Sequence, residues 1–239
     1  MEKQSTKNPV DIKHDNTLDN SRLRRRDFLK YAGASAATLA ALSLSSCDKD
    51  DNDMGQGGKA FYFGSGDIAI LNYAYALEQL EAAFYTQVVN SLYTGASDLE
   101  KLYLTDIRNH EIAHREFFKA ALGNNAISNL EFNFSAVNFS DRNVVLATAK
   151  TFEDLGVSAY NGAGWLIKNE AYLLLAGKIV SVEARHAALV RDLIDNGSFA
   201  NSEVIDSDGL DVSKSPTQVL QAAAPFIKSK IDVKDLPTY

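Results

Sequence analysis

One pattern of side chains occurs twice along the chain, and it limits the folds that the chain can adopt. In each copy a Glu is followed seven residues later by a Tyr, and a second Glu is then followed three residues later by a His: Glu78 and Tyr85 with Glu111 and His114, then Glu153 and Tyr160 with Glu183 and His186. Residues three or seven apart share one face of an α-helix. Each copy therefore needs two helices that direct their acidic faces toward one interior point.

The sequence around these motifs predicts four long helices. Apolar residues recur at helical spacing over 67–90, 97–122, 141–162 and 169–196, and Pro is absent from all four stretches. Ser97 and Glu100 have the spacing of a capping box at the start of the second helix. The first and last links are short, whereas 123–139 is Asn-rich and predicted to be extended. The pattern indicates an all-α four-helix bundle of two antiparallel hairpins joined by a long crossover between helices two and three.

Four carboxylates in the core of such a bundle require compensation. A buried, ionised and unpaired carboxylate costs several kcal/mol or more. Two divalent ions would supply a charge of +4, and a set of carboxylates with fewer imidazoles suits iron or manganese. Thiolate ligands are absent from the pattern, which argues against structural zinc. The alternative is a bundle that keeps these residues without metal, with Glu and His paired to one another.

Three segments around these motifs, 77–85, 152–160 and 182–186, resemble the bacterial ferritin-like domain family that includes plant desiccation-related proteins. The resemblance extends over about 67–195, and the ligand pattern is similar to that of the bacterioferritin di-iron centre. It implies two iron or manganese ions. It also implies a role for each residue: Glu111 and Glu183 bridge the metals, Glu78 and Glu153 are terminal ligands, His114 and His186 bind one metal each, and Tyr85 and Tyr160 hydrogen-bond the carboxylates or donate electrons.

Some neighbouring residues leave alternatives open. Glu81 lies one turn after Glu78 and might replace or supplement it, although the spacing to Tyr85 favours Glu78. His110 points about 100° away from Glu111 around the helix, which favours a surface or supporting role over ligation. The alternative for the two tyrosines is an ordinary core role. Trp165, the single Trp, is predicted to be a packing residue.

The N-terminal residues have the order of an export signal. Arg25 and Arg26 open a segment that resembles the twin-arginine motif, an uncharged run covers 31–46, and 44–47 resembles a lipobox ending at the single cysteine, Cys47. We expect residues 1–46 to be removed, Cys47 to be the lipid anchor, and 47–66 to form an acidic, Gly-rich tether. The alternative is a basic, Ala-rich helix that stays on the domain. The short acidic segment after Cys47 resembles a signal for the outer cell surface.

Composition limits the partners and the function. The formal net charge is −7, and without residues 1–46 it is −10, which excludes nucleic acid as a general partner. The expected protein is exported by the twin-arginine route, lipid-anchored in the cell envelope, and reacts with oxygen or peroxide as a ferroxidase or peroxide-detoxifying oxidoreductase. Assembly into a homodimer is an open alternative for the partner of this chain. The competing hypothesis is a non-enzymatic envelope or surface scaffold with a structural or vestigial metal site.

Residues 197–239 are expected to form a C-terminal extension with a short helix beginning near Ser215 and Pro216.

Overall fold

The computed structural model describes residues 60–239, and four long helices dominate it. They are α1 (Gly66–Asn90), α2 (Asp98–Leu122), α3 (Arg142–Gly164) and α4 (Glu170–Ile194). A short helix, α5 (Pro216–Ala223), and two two-residue strands, β1 (Phe61–Tyr62) and β2 (Ile231–Asp232), complete the regular elements. The predicted all-α fold and its four helices are confirmed, with ends that differ by two residues or fewer.

The helix starts follow from local capping chemistry. The Ser97 hydroxyl accepts from the Glu100 backbone N–H, and the Glu100 carboxylate accepts from the Ser97 N–H, which completes the predicted capping box of α2. The Asp141 side chain caps α3, and the Asn169 side chain caps α4. These side chains satisfy backbone donors that have no partner inside a helix, so each start is fixed by the sequence next to it.

The four helices form two hairpins with unequal burial. Helix α1 packs along α2, α3 packs along α4, and α1 also packs against α3. Most residues of α1 and α3 are buried, whereas α2 buries only a stripe that includes Leu104, Ile107, Glu111 and Phe118. Helices α1 and α3 are therefore the interior pair, and α2 and α4 each give one face to the core.

The crossover between α2 and α3 is held against α1 by polar side chains that lie within its buried surface. The Asn72 amide donates to the Phe63 and Asn125 carbonyls and accepts from the Ile127 N–H, while Gln79 accepts from the Leu130 N–H. A 3-10 turn at 123–125 begins the link, and two further turns are closed by the bonds from the Val137 N–H to Phe134 and from the Asp141 N–H to Asn138, so the predicted extended link is confirmed only in part. These bonds satisfy buried backbone groups that an irregular segment would otherwise leave without partners.

The C-terminal extension packs on the outside of the bundle. Strand β2 pairs in parallel with β1, and α5 packs against α3. The closest approach is at Gly162, where an added Cβ would lie 1.9 Å from the Lys214 carbonyl oxygen. Only glycine allows the extension to lie this close to α3.

The prediction for Trp165 was wrong. Trp165 is 84% exposed, and it lies just after the end of α3 at the turn into α4.

The predicted export signal, lipidated Cys47 and most of the tether lie outside the described residues. Within residues 60–239, the helices are too short or too polar for any of them to cross a bilayer.

Candidate metal centre

The six predicted ligands converge in the middle of the bundle. Glu78 comes from α1, Glu111 and His114 from α2, Glu153 from α3, and Glu183 and His186 from α4. All four glutamates have 0% exposure, and His186 has 4%. His114 retains 13% exposure of its side chain and lies nearer to solvent. The doubled motif therefore produces one cluster from both hairpins.

The ligand atoms form two overlapping groups that could each hold a metal ion. The first group contains Glu78, Glu111, His114 and Glu183; the second contains Glu111, Glu153, Glu183 and His186. Within each group one atom per residue lies within 4.8 Å of the others. Glu111 and Glu183 belong to both groups, while each remaining residue belongs to one. This is the sharing that two adjacent ions with two common carboxylates would need.

Each imidazole lies closest to the shared carboxylate of the other hairpin. His114 Nδ1 is 2.8 Å from Glu183 Oε1, and His186 Nδ1 is 2.8 Å from Glu111 Oε1. Nδ1 of His114 is also 3.4 Å from Glu78 Oε2, and Nδ1 of His186 is 3.5 Å from Glu153 Oε2. The contacts have the same arrangement in both halves of the centre.

These short contacts do not have hydrogen-bond geometry, and the cluster leaves its inward-facing atoms without hydrogen-bond partners. The atoms concerned are Oε2 of Glu78 and Glu153, both carboxylate oxygens of Glu111 and Glu183, and Nδ1 of both histidines. Buried polar groups are almost always satisfied in folded proteins. These eight inward-facing atoms fit metal coordination, and without metal the two histidines lie at ion-pair distance from Glu183 and Glu111.

Each tyrosine hydrogen-bonds one of the two glutamates that are not shared between the ligand groups. The Tyr85 hydroxyl donates to Glu153 Oε1 over 2.5 Å, and the Tyr160 hydroxyl donates to Glu78 Oε1. Each bond joins α1 to α3 and leaves the second oxygen, Oε2, directed into the cluster. Burial raises the pKa of both tyrosines well above the usual value, so both keep their donor proton.

The carboxyl groups of the cluster differ in their pKa values. Burial and the nearby Glu183 carboxylate raise the pKa of Glu78 and Glu111. Burial also disfavours the ionised form of Glu183, but the imidazoles of His114 and His186 outweigh it and lower the Glu183 pKa to about 2.

The histidines shift in the opposite direction. Burial favours neutral imidazole, but the surrounding carboxylates outweigh it, raising the pKa of His186 to about 12 and also raising that of His114. In the protein without metal, protons on the two imidazoles supply the positive charge that the carboxylates need.

Glu81 is buried beside the cluster but belongs to neither group of potential ligands. Its pKa is raised well above the usual value by burial and by repulsion from Glu183. An added Cβ at Gly156 would lie 3.1 Å from Glu81 Oε1, so Gly156 provides the space for this carboxyl. Glu81 follows Glu78 by three residues, as Gly156 follows Glu153. This pairing of a Glu with a Gly at matching positions of the two copies is the sequence signal for the position of Glu81.

His110 occupies the supporting position that the sequence analysis favoured. Its side chain is exposed, and its Nδ1 lies 2.9 Å from Nε2 of the buried His186. His110 thus reaches a predicted ligand from the surface without entering either ligand group.

The model of the ferritin-like domain family matches residues 66–196, more than half of the chain. The chain belongs to the ferritin-like domain family. The match spans α1 to α4 and thus includes every residue of the cluster. A search of curated proteins finds no match. The fold and the donor set together make this part of the ferritin-like domain a possible metal-binding centre.

Proposed function

We propose that the centre binds two iron or manganese ions. Glu111 and Glu183 would be shared by both ions, as their membership of both ligand groups suggests. His114 with Glu78 would complete one half-site, and His186 with Glu153 the other. The observation that carries the proposal is the set of buried carboxylate and imidazole atoms that face one another without hydrogen bonds. Oxygen and imidazole donors in this ratio suit iron and manganese.

We further propose an oxidoreductase activity toward oxygen or peroxide. Two bound ferrous ions would supply the two electrons that reduce hydrogen peroxide to two waters, or dioxygen to peroxide. The protein residues position and shield the centre: Tyr85 and Tyr160 fix one oxygen of Glu153 and Glu78 and leave the other free to bind. His114 lies on the more open side, where a small oxidant could enter.

Metal analysis tests the first part of the proposal. Purified residues 60–239, stripped with chelator and reloaded with Mn²⁺, should retain about two ions per chain. Glu111→Ala and His114→Ala should lose them, whereas Glu116→Ala, on the exposed face of the same helix, should retain both. Wild-type protein that binds no metal, or a Glu116 variant as defective as the Glu111 variant, would overturn the assignment.

Rapid mixing tests the second part. Protein loaded anaerobically with Fe²⁺ is mixed with oxygen or with hydrogen peroxide, and both iron oxidation and oxidant consumption are followed. We expect consumption that depends on Glu111, with about one peroxide used for every two ferrous ions. An inert, fully loaded centre would instead assign the metal a structural role, as in the non-enzymatic scaffold hypothesis.

We also propose that the protein is exported and anchored by lipid on Cys47. The support is the order of twin-arginine motif, uncharged run and lipobox in residues 25–47. Labelled fatty acid should be incorporated into the wild-type protein and not into Cys47→Ala. Substituting Lys for both Arg25 and Arg26 should block export if the twin-arginine route is used. Labelling of Cys47→Ala, or normal export of the double variant, would contradict the respective step.

A further inference from the structure

The two halves of the proposed metal centre are not equivalent, because among residues 60–239 only His186 of the two ligand histidines has a hydrogen-bond partner on its outer nitrogen. His186 directs Nδ1 toward Glu111 and Nε2 toward His110, whose Nδ1 is 2.9 Å away. The two imidazole planes are within 7° of parallel, which is compatible with an N–H···N bond between the rings. His186 thus has a hydrogen-bond partner on Nε2, while its Nδ1 faces the cluster.

The corresponding partner is missing from the other half. His110 directly precedes Glu111, and the residue that directly precedes Glu183 is Val182. Valine cannot hydrogen-bond through its side chain. Among residues 60–239, no side chain makes an equivalent hydrogen bond to Nε2 of His114. The doubled motif is therefore symmetric in the ligands and asymmetric in what supports them.

We propose that His110 is a positioning residue that makes the His186 half-site the tighter of the two. A metal-binding imidazole must present an unprotonated nitrogen to the ion, and its other nitrogen then carries the proton. By accepting the Nε2 proton of His186, His110 fixes the tautomer whose Nδ1 lone pair faces Glu111 and Glu153. It also restrains rotation of the ring. His114 is free of that restraint, so its half-site binds the second ion more weakly.

This inference rests on the proposed two-ion centre, and the test separates the two. His110→Leu removes the acceptor, whereas His110→Asn keeps an oxygen near the position of Nδ1. The side chain is exposed, so neither change disturbs the core. Asn109→Leu, one residue earlier and also exposed, controls for an added leucine on this surface.

Mn²⁺ binding is measured by calorimetry for the wild type and the three variants. We expect two unequal affinities in the wild type. In His110→Leu the tighter one should weaken by roughly 10–100-fold while the weaker one stays unchanged, and His110→Asn should remain within about threefold of the wild type. In the Zn²⁺-loaded protein, ¹H–¹⁵N NMR should show the Nε2 proton of His186 hydrogen-bonded in the wild type and in His110→Asn, and not in His110→Leu.

The contrary outcomes are distinct. Wild-type protein that binds no metal would overturn both the two-ion centre and this inference. Two ions in the wild type with unchanged affinities in His110→Leu would overturn only the role of His110. Equal weakening of both ions, or no rescue by His110→Asn, would also overturn that role, because it would show a general structural effect.

Discussion

Two charged clusters lie close together in the bundle, one around the buried Arg191 and one at the candidate metal centre, and they are arranged in opposite ways. Arg191 is only 3% exposed, yet its guanidinium donates to Asp154 at 2.8 and 2.7 Å and to Asn201 and Glu203 at 3.1 Å each. The candidate metal centre begins at the adjacent Glu153 and leaves its inward-facing atoms without hydrogen bonds. A cluster that satisfies its own donors stabilises the fold. A cluster that leaves its polar atoms directed at one point could hold an ion, as we propose for this centre.

The largest expected effect is stabilisation by metal. Mn²⁺ at 100 times its dissociation constant should raise the free energy of unfolding by roughly 2.7 kcal/mol for each site, measured by urea unfolding. Glu111→Gln should abolish this gain. Without metal the same variant should be at least as stable as the wild type, because it removes one acidic group from a crowded buried cluster. A large loss of metal-free stability would show that the centre is a structural cluster like that of Arg191.

The next largest change in stability is expected at the Arg191 cluster. Arg191→Met should lower the free energy of unfolding by about 2–4 kcal/mol, because Asp154 and the C-terminal extension lose their common partner. The variant should still take up Mn²⁺ with the wild-type stoichiometry. Lys150→Met removes a cation that is more exposed and also pairs with Glu203, so it should cost about 1 kcal/mol or less. Equal losses in the two variants would contradict the structural role assigned to buried Arg191.

The pH dependence of metal binding separates the clusters further. The raised pKa values of His114 and His186 keep both imidazoles protonated in the metal-free protein at neutral pH. Metal binding requires neutral imidazole, so it should release about two protons, and affinity should rise by as much as roughly 100-fold per pH unit. Protons still held by the glutamates would add to the release. Calorimetry at pH 6–8 in buffers of different ionisation heat measures the number of protons released. An affinity that does not depend on pH would contradict the proposed charge state.

A smaller effect tests how the extension is held. Gly162→Ala places a methyl group against the Lys214 carbonyl and should lower stability by about 1–3 kcal/mol. Gly177→Ala is the matched control, since an added Cβ there meets nothing within 4 Å and the position lies inside α4. It should raise stability by about 0.5–1 kcal/mol. If thermal unfolding shows no difference between the two variants, the close approach of Lys214 to Gly162 does not contribute to holding the extension.

The sequence was most informative where the chemistry is local. The helix starts at Ser97, Asp141 and Asn169 depend on side chains next to the helix, and the ligand faces depend only on helical spacing. These features were predictable. The exposure of Trp165 was not, because it depends on how α3 turns into α4.

Contacts between different helices could not be predicted from the sequence patterns either. The pairing of Arg191 with Asp154 joins α4 to α3, and the space that Gly156 provides for Glu81 joins α3 to α1. The contact of His110 with His186 is of the same kind: the helical spacing favoured a surface or supporting role for His110 but did not indicate which residue it would support. Each of these depends on how two helices rotate relative to one another, which periodicity within one helix does not determine.

The most direct test of the central claim is anomalous diffraction from crystals of the protein loaded with Mn²⁺. We predict two manganese peaks in the core, both in contact with Glu111 and Glu183, one beside His114 and the other beside His186. The cluster around Arg191 should contain none. A core without manganese, in which the histidines and glutamates hydrogen-bond directly to one another, would contradict the account.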